Sequence, residues 1–437
     1  MRIETIRTEG LGDSTHILIH DGMAIVVDPQ RDIDRFEHIL DETGADLRLV
    51  VETHLHNDYV SGGLDLSRRA GAELVMPAGA APVFRHRPAF HHEDIDVGAL
   101  AVRPVHTPGH TPEHTSYVIV VEGREMAVFS GGSLLVGSAG RSDLLGEERA
   151  ESLARLQYLS VNRLAALPDP VGLYPTHGAG SFCTTTSAGN VTSTIGEEKS
   201  ANPVLAYGDE EAFVKGQLAS LVPYPSYYRH MGPINLRGLP EPDLSVPLLD
   251  SIPDGVTVVD ARPRHRFAAS HMPGVLGIEL RNSFGTWVGW LTEHNTPLVL
   301  VLDEDQDAGE AVRQLSRIGY DDVRGIVRNP PDAARSFRTV DRDEYIEAAE
   351  SDSQLLDVRA PNEWDTGIVE GSVLSYLPDL AERTPSGLDT SQPVWIACGS
   401  GYRAATAAGI LEGRGFETVV LIDDGAPDVL QRMSNSS

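Results

Sequence analysis

The chain of 437 residues is short of cysteine, of lysine and of positive charge. Its two cysteines, Cys183 and Cys398, are too few and too far apart for a disulfide framework or a cysteine-based zinc knuckle. Only Lys199 and Lys215 are lysines, and 35 basic residues stand against 64 acidic ones, which gives a formal net charge of −29. This charge repels polyanions and anionic surfaces, so neither a nucleic acid nor a membrane is expected as a partner.

Long apolar runs are missing as well. No segment reaches the roughly 18 uninterrupted apolar residues that a membrane-spanning helix requires. The first ten residues, MRIETIRTEG, lack the apolar core of a signal peptide. A cytoplasmic location is therefore expected, for a chain long enough to form about three compact units.

Strand-like and helix-like segments alternate along the first half of the chain. Runs such as MAIVVDP and LRLVVET are typical of strands, and ERAESLARLQYLSVNRLAAL is typical of a helix. This mixture predicts sheet layers covered by helices. Between about residues 202 and 247 the sequence becomes rich in proline, which continues neither a helix nor a central strand. We place a domain boundary there, after a first domain over residues 1–235.

Two segments beyond this boundary resemble each other. The segment 257–275, TVVDARPRHRFAASHMPGV, aligns with 354–373, QLLDVRAPNEWDTGIVEGSV, so that two Asp-x-Arg triplets coincide. In both copies a strand, a short loop and a helix follow. We therefore predict two small α/β domains with parallel sheets, over residues 244–335 and 340–437.

Cys398 stands where an apolar strand, VWIA, gives way to the loop CGSGYR and then to a helical segment. At such a turn, backbone N–H groups and the positive end of the helix dipole stabilise a sulfur anion. Gly399 and Gly401 let the backbone curl around the sulfur, and Arg403 adds a positive charge. The alternative is a small buried cysteine of a parallel strand. Two glycines and an arginine within five residues favour the reactive thiol.

Together with Asp357-Val-Arg359 and the GIVEGS segment, this loop resembles the active site of the rhodanese sulfurtransferases. The resemblance covers residues 340–437, although Ile368 replaces the histidine usual in GIVEGS. It implies that Cys398 is the catalytic carrier of a persulfide, with Arg403 stabilising anionic sulfur. The persulfide-binding loop would then comprise Gly399, Ser400, Gly401 and Tyr402.

The first copy, over residues 244–335, looks like the same fold without its chemistry. Its nucleophile position holds Leu302, or Asp303 if the alignment slips by one residue. Neither side chain carries sulfane sulfur, so a structural or docking role is expected. The other cysteine, Cys183 in GSFCTTTS, has no adjacent positive charge to lower its pKa, and a structural role is expected for it too.

Three motifs of the first domain carry histidines: THLHND and PTHG each follow a predicted strand, and HTPGHTPEH forms a turn punctuated by proline and glycine. They supply the following candidate metal ligands: His54, His56, Asp58, His106, His110, His114 and His177. Side chains two apart in an extended segment face the same side, so those of THLHND converge. In this order the three motifs resemble the metallo-β-lactamase fold, over roughly residues 1–235. The resemblance implies an α/β protein, with an N-terminal αββα sandwich followed by two rhodanese-like parallel-sheet domains.

The order of the domains and the segment GGSLLVGSAGRSDL resemble the persulfide dioxygenase branch of that fold. This resemblance implies one Fe(II) held by two histidines, matched here by His54 and His110, and by an aspartate. In FSGG, however, Gly132 stands where the aspartate is expected. Loss of a charged ligand weakens a metal site unless another group replaces it.

We expect His56 to complete the ligand set with His54 and His110. Three histidines also suit Zn(II), so the single metal is Fe(II) by preference or Zn(II). Other groups that could approach the metal are Asp58, Asp143 and His177. Tyr59, where two-metal relatives have another histidine, and Gly132 argue against a second metal.

Three functional hypotheses follow. The first is an enzyme of the persulfide dioxygenase type, coupled to sulfur transfer at Cys398 and acting on a small thiol persulfide or on thiosulfate. The second is a single-zinc hydrolase of a thiol conjugate. The third is a metal-free N-terminal binding module beside an active sulfurtransferase. The sequence is also compatible with a homo-oligomer.

Overall fold

The computed structural model describes residues 1–184, 190–328, 330 and 334–435. In these residues, no helix is both long and apolar enough to cross a bilayer. The chain divides into two compact units, which comprise residues 1–243 with 316–319, and residues 244–315 with 320–437.

In the residues that the structure describes, the first unit contains two six-stranded sheets, one two-stranded sheet and six α-helices. Its strands are β1 (Arg2–Thr8), β2 (Asp13–His20), β3 (Met23–Val27), β4 (Asp46–Val51), β5 (Glu73–Pro77), β6 (Arg87–Ala89), β7 (Ile95–Val97), β8 (Leu100–His106), β9 (Thr115–Val121), β10 (Arg124–Gly131), β11 (Leu134–Leu135), β12 (Ser138–Ala139), β13 (Gly172–Pro175) and β14 (Ser193–Thr194). Its helices are α1 (Asp34–Thr43), α2 (Gly63–Ala70), α3 (Glu147–Ala165), α4 (Ile195–Ala201), α5 (Glu210–Ala219) and α6 (Tyr228–Arg237). The sheet orders are β1-β2-β3-β4-β5-β6 and β14-β13-β10-β9-β8-β7.

Apolar side chains bury three interfaces in this unit. Leu49 and Phe129 belong to the core formed by the two sheets. Phe36 of α1 packs with the outer residues of the first sheet, and Val161 of α3 packs with those of the second. β9, TSYVIVV, is buried over all but its last residue because it lies between β8 and β10. The predicted αββα sandwich is confirmed.

The described part of the second unit contains two parallel sheets. Its strands are β15 (Thr257–Asp260), β16 (Leu276–Gly277), β17 (Leu298–Val301), β18 (Val323–Val327), β19 (Arg338–Val340), β20 (Gln354–Asp357), β21 (Val373–Leu374), β22 (Val394–Ala397) and β23 (Thr418–Leu421). Its helices are α7 (Arg264–Ala269), α8 (Phe284–Leu291), α9 (Ala308–Arg317), α10 (Arg342–Ala349), α11 (Pro361–Trp364), α12 (Leu377–Glu382), α13 (Tyr402–Glu412) and α14 (Ala426–Ser434).

The two sheets share one strand order. The first runs β16-β15-β17-β18, and the second contains the equivalent run β21-β20-β22-β23, to which β19 adds at the β23 edge. All pairings in both sheets are parallel. The internal repeat seen in the sequence is therefore a repeat of topology. In each copy, the loop that follows the third strand of the run leads into a helix at the carboxyl edge of the sheet.

Candidate metal centre and sulfur-transfer loop

Loops that follow β4, β8 and β13 bring histidines together in the first unit. The ring centroid of His54 lies 4.2 Å from that of His56, 4.9 Å from His110, 5.1 Å from His114 and 5.2 Å from His177. All five side chains are buried. The start of β9 is joined to the loop after β4 by a backbone hydrogen bond, from the N–H of residue 115 to the carbonyl of residue 53 at 2.8 Å. The remaining candidate from HTPGHTPEH, at position 106, is exposed and outside the cluster.

Three of these histidines have one ring nitrogen anchored and the other turned inward. Nδ1 of His110 donates to the carbonyl oxygen of Arg141 at 2.7 Å, and Nδ1 of His177 lies 2.8 Å from Oδ1 of Asp13. Nδ1 of His54 lies 2.8 Å from the hydroxyl of the preceding threonine. Nε2 of His54 lies 3.3 Å from Nε2 of His177, and Nε2 of His110 has no hydrogen-bond partner in the described part of the chain. One donor atom from each of the three lies within 4.8 Å of the others.

His56 has different partners. Its Nε2 lies 3.0 Å from Oε2 of Glu52 and 3.3 Å from Oδ1 of Asp28. Burial lowers the pKa of His56, but these two carboxylates outweigh burial and raise it well above its ordinary value. In the described residues, His56 joins ligand groups with Asp28 and His54 or with Asp58 and His177, not one with His54 and His110. The ligand set expected from the sequence, His54, His56 and His110, therefore stays a prediction. The positions of the side chains favour a different third ligand beside His54 and His110.

Burial and neighbouring charges shift the pKa values of the clustered histidines in opposite directions. Burial lowers the pKa of His110 to about 3 and that of His54 well below its ordinary value. Burial also acts on His177, but Asp58 and Asp13 outweigh it and raise the pKa of His177 to about 10. Burial, with Asp58 adding to it, raises the pKa of Asp13 to about 8. Because a metal binds an unprotonated nitrogen, His54 and His110 are already in the ligand form, whereas His177 would have to release a proton to bind a metal.

Position 132, where the aspartate is expected, has no room for a side chain. A β-carbon on Gly132 would overlap Cδ2 of His110, and the Gly132 N–H donates to Nε2 of His114 at 2.9 Å. A ligand set of two histidines and an aspartate at 132 therefore does not fit this chain, whereas a set of histidines does. Asp143 is also occupied, since its two oxygens lie 2.7 and 2.8 Å from Nε and Nη2 of Arg141.

Of the buried carboxylates around the cluster, sequence reasoning found Asp58 but missed Asp28 and Asp13. Asp28 accepts from the N–H of Thr53 at 2.7 Å and from the hydroxyls of Thr53 and Thr176, so it joins the loops after β4 and β13. Asp28 directly follows the apolar run of β3 in MAIVVDP, and an acidic residue at that place was the available signal. Asp13 gave no such signal, because its role depends on β2 lying opposite residue 177.

In the second unit, Cys398 follows β22 and is 1% exposed. Gly401 has φ +79° at the start of α13, and a β-carbon there would overlap the carbonyl of Ile422. Only glycine satisfies both conditions, so the loop can curl as the sequence predicts. Ser400 is exposed, while Tyr402 is buried and its hydroxyl donates to the carbonyl of Glu279 at 3.2 Å.

Arg403 forms an ion pair with Glu363. Its Nη2 would lie 3.2 Å from a β-carbon on Gly399, so the guanidinium stands beside the loop. The same nitrogen lies 2.8 Å from Oε1 of Glu363. Burial raises the pKa of Glu363, but Arg403 outweighs burial and lowers it below its ordinary value. The loop therefore meets a neutralised ion pair rather than the full positive charge expected from the sequence.

The structure distinguishes the two alignments of the first copy. Ala261 donates its N–H to the carbonyl of Val301 at 2.8 Å, and Val358 donates in the same way to Ala397 at 3.0 Å. The residue that follows each of these two carbonyls, directly after its strand, is therefore equivalent, which places Leu302 at the position of Cys398. Like Cys398, Leu302 is buried, but it has no nucleophilic atom.

Comparison with known proteins gives a family for the stretch of chain around each site. The metallo-beta-lactamase superfamily matches residues 8–177, and the rhodanese-like domain matches residues 341–431. The human mitochondrial persulfide dioxygenase ETHE1 is 31% identical over 222 residues, which are 49% of this chain and 78% of the relative. A hydroxyacylglutathione hydrolase of Methylobacillus flagellatus is 32% identical over 163 residues, or 37% of this chain, and the match spans 60% of that relative's own length.

Among solved structures, a metallo-beta-lactamase from Staphylococcus aureus superposes with a TM-score of 0.69 at 26% identity. The match covers 75% of this chain and 99% of that one. The resemblances drawn from the motifs are thereby confirmed: the chain belongs to the metallo-beta-lactamase superfamily, as a relative of the persulfide dioxygenases that also carries a rhodanese-like domain.

Proposed function

We propose that the protein is an enzyme of sulfur metabolism in which Cys398 accepts and donates sulfane sulfur from thiosulfate or a small thiol persulfide. The supporting observation is the setting of Cys398, buried at the turn between β22 and α13, with Gly401 at positive φ and the Arg403 guanidinium beside Gly399. The start of α13 and the loop N–H groups favour an anion at the sulfur.

In the first half-reaction, the Cys398 thiolate attacks the sulfane sulfur of thiosulfate. The S–S bond of thiosulfate breaks, sulfite leaves with the electron pair, and a Cys398 persulfide forms. In the second half-reaction a thiol or cyanide attacks the outer sulfur, and the Cys398 thiolate leaves. No net oxidant is needed. The loop from Gly399 to Tyr402 binds the persulfide, and Arg403, held by Glu363, orients the anionic donor.

For the first unit we propose a single metal, Fe(II) by preference, held by His54, His110 and a third ligand. A bound Fe(II) would supply a site for dioxygen chemistry on a persulfide. The chain's own contribution is the buried pair His54 and His110, whose Nδ1 atoms are fixed by hydrogen bonds and whose Nε2 atoms are turned inward. The likeness to a persulfide dioxygenase supports this activity, in which the two units would act on the same class of small sulfur compound.

A second candidate is a single-zinc hydrolase of a thiol conjugate. Two observations favour it: the relative that is a hydroxyacylglutathione hydrolase, and ligand candidates that are histidines without an aspartate at 132, as in some catalytic zinc sites. Iron-loaded protein should take up oxygen with glutathione or coenzyme A persulfide. Absence of uptake, with cleavage of a glutathione thioester by zinc-loaded protein, would replace the first candidate by the second.

Sulfur transfer is tested with Cys398→Ser. Wild-type protein should transfer sulfur from thiosulfate to cyanide and gain one sulfur atom at residue 398 by mass spectrometry. The variant should do neither while keeping the unfolding temperature of the wild type. Appreciable transfer by a folded Cys398→Ser protein would show that the nucleophile lies elsewhere.

A further inference from the structure

We propose that His177, and not His56, is the third metal ligand, with Cys183 as a positioning residue for it. This inference deepens the metal-dependent function proposed for the first unit and rests on it. It replaces an aspartate by a histidine from another loop, the one that follows β13. The ligand set is then His54, His110 and His177.

The first argument is convergence. Nε2 of His54 lies 3.3 Å from Nε2 of His177, and the ring centroids of His110 and His177 are 5.1 Å apart. Nε2 of His110 is buried without a hydrogen-bond partner in the residues that the structure describes. Ligand atoms on one ion, each about 2.1 Å from it, lie at most about 4.2 Å apart. Groups already within 4.8 Å need only small shifts to reach that spacing.

The second argument is the support of His177. Its Nδ1 faces two carboxylates, at 2.8 Å from Oδ1 of Asp13 and 3.3 Å from Oδ2 of Asp58. A carboxylate behind a histidine fixes the ring and makes its other nitrogen a better donor to a metal. His56 has its own Nε2 within 3.3 Å of two carboxylates, but it shares no ligand group with His54 and His110 in the described residues.

The third argument is the link between the supports. The thiol of Cys183 donates to Oδ2 of Asp58 at 3.2 Å. The backbone N–H of Arg141 donates to the Cys183 carbonyl at 3.0 Å, and the Arg141 carbonyl accepts from His110. Cys183 is fully buried, and through these two hydrogen bonds it contacts the supports of two of the three proposed ligands. Its side chain can act through Asp58 on the orientation of His177.

Titration of metal-free protein with Co(II) tests the ligand assignment by the visible absorption of the bound ion. Wild-type protein should bind one Co(II). His54→Ala and His177→Ala should weaken binding at least 100-fold, whereas His56→Gln, which keeps a donor toward Glu52, should change it less than about fivefold. The exposed control His106→Ala should match the wild type. Loss of binding in His56→Gln with retention in His177→Ala would overturn the assignment.

Two further measurements keep the test decisive. His177→Asn retains a polar group of similar width, so a folded His177→Asn protein that still binds Co(II) as the wild type does would contradict the proposal. For Cys183, substitution by alanine should weaken Co(II) binding about tenfold and shift its spectrum, and Cys183→Ser should restore both because its hydroxyl can donate to Asp58. Unchanged spectra in both variants would remove the positioning role.

These readouts do not depend on turnover. Co(II) binding that follows the predicted pattern, without oxygen uptake by iron-loaded protein, would leave the ligand set standing and reject the dioxygenase function. Oxygen uptake that survives in His177→Ala would reject the ligand set and leave the function standing.

Discussion

Leu302 and Cys398 occupy equivalent places in the two repeats, each directly after the third strand of its parallel sheet. The loops that follow differ in charge. After Leu302 the chain reads DEDQD before α9, and after Cys398 it reads GSGYR. The first loop carries four carboxylates and no glycine, so it neither curls around a sulfur nor favours an anion there.

A thiol placed in the first repeat should therefore stay inactive. We expect Leu302→Cys, in a protein that also carries Cys398→Ser, to show no transfer of sulfur from thiosulfate to cyanide. The assay of sulfite release measures this directly. Activity above a few per cent of wild type would show that the fold alone, without the loop, activates the sulfur.

Gly401→Ala should destabilise the second unit and abolish transfer. The residue combines φ +79° with overlap between a β-carbon and the Ile422 carbonyl, so the cost should reach about 3 kcal/mol. Gly415→Ala is the matched control, because Gly415 has φ +86° with nothing within 4 Å of an added β-carbon, and it should cost only about 1 kcal/mol. Urea unfolding compares the two variants, and equal costs would contradict the close packing of the loop.

Gly132→Asp should fail to create the aspartate ligand of the persulfide dioxygenases. Because the new β-carbon overlaps the His110 ring, we expect about 1–3 kcal/mol of lost stability and weaker binding of Fe(II). Calorimetric unfolding and metal titration would measure both effects. Tighter iron binding with unchanged stability would show that His110 moves aside at little cost.

The ion pair between Glu363 and Arg403 should make the second unit sensitive to acid. The pKa of Glu363 is lower in the folded protein, so its stabilisation is fully present above the ordinary glutamate pKa and is lost as the pH falls through the folded value. We expect Glu363→Gln to be less stable than wild type by about 1 kcal/mol at neutral pH. The difference should vanish in acid, where the protonated Glu363 of the wild type is as uncharged as the glutamine of the variant. A difference independent of pH would exclude the ion pair as its cause.

More of the sulfur-transfer loop than of the metal centre could be predicted from the sequence. The sulfur loop is contiguous, so glycines, nucleophile and arginine could all be read from CGSGYR, and the strand and helix around it followed from local patterns. Even there, the partner of Arg403 is 40 residues away, in α11, and local reasoning overestimated the charge at the loop.

The sequence by itself determined the class of the domains, the repeat in the second half and the histidines that could bind a metal, because periodicity and motif spacing are local properties. Only the tertiary structure decided which of those histidines share one space. His177 contacts His54, which lies 123 residues away in the sequence, and Asp13 of β2 binds the other ring nitrogen of His177. The ring of His110 leaves no room for a side chain at Gly132. Such proximity is fixed by the packing of two sheets, since the distance between loops depends on strand order and register rather than on spacing along the chain.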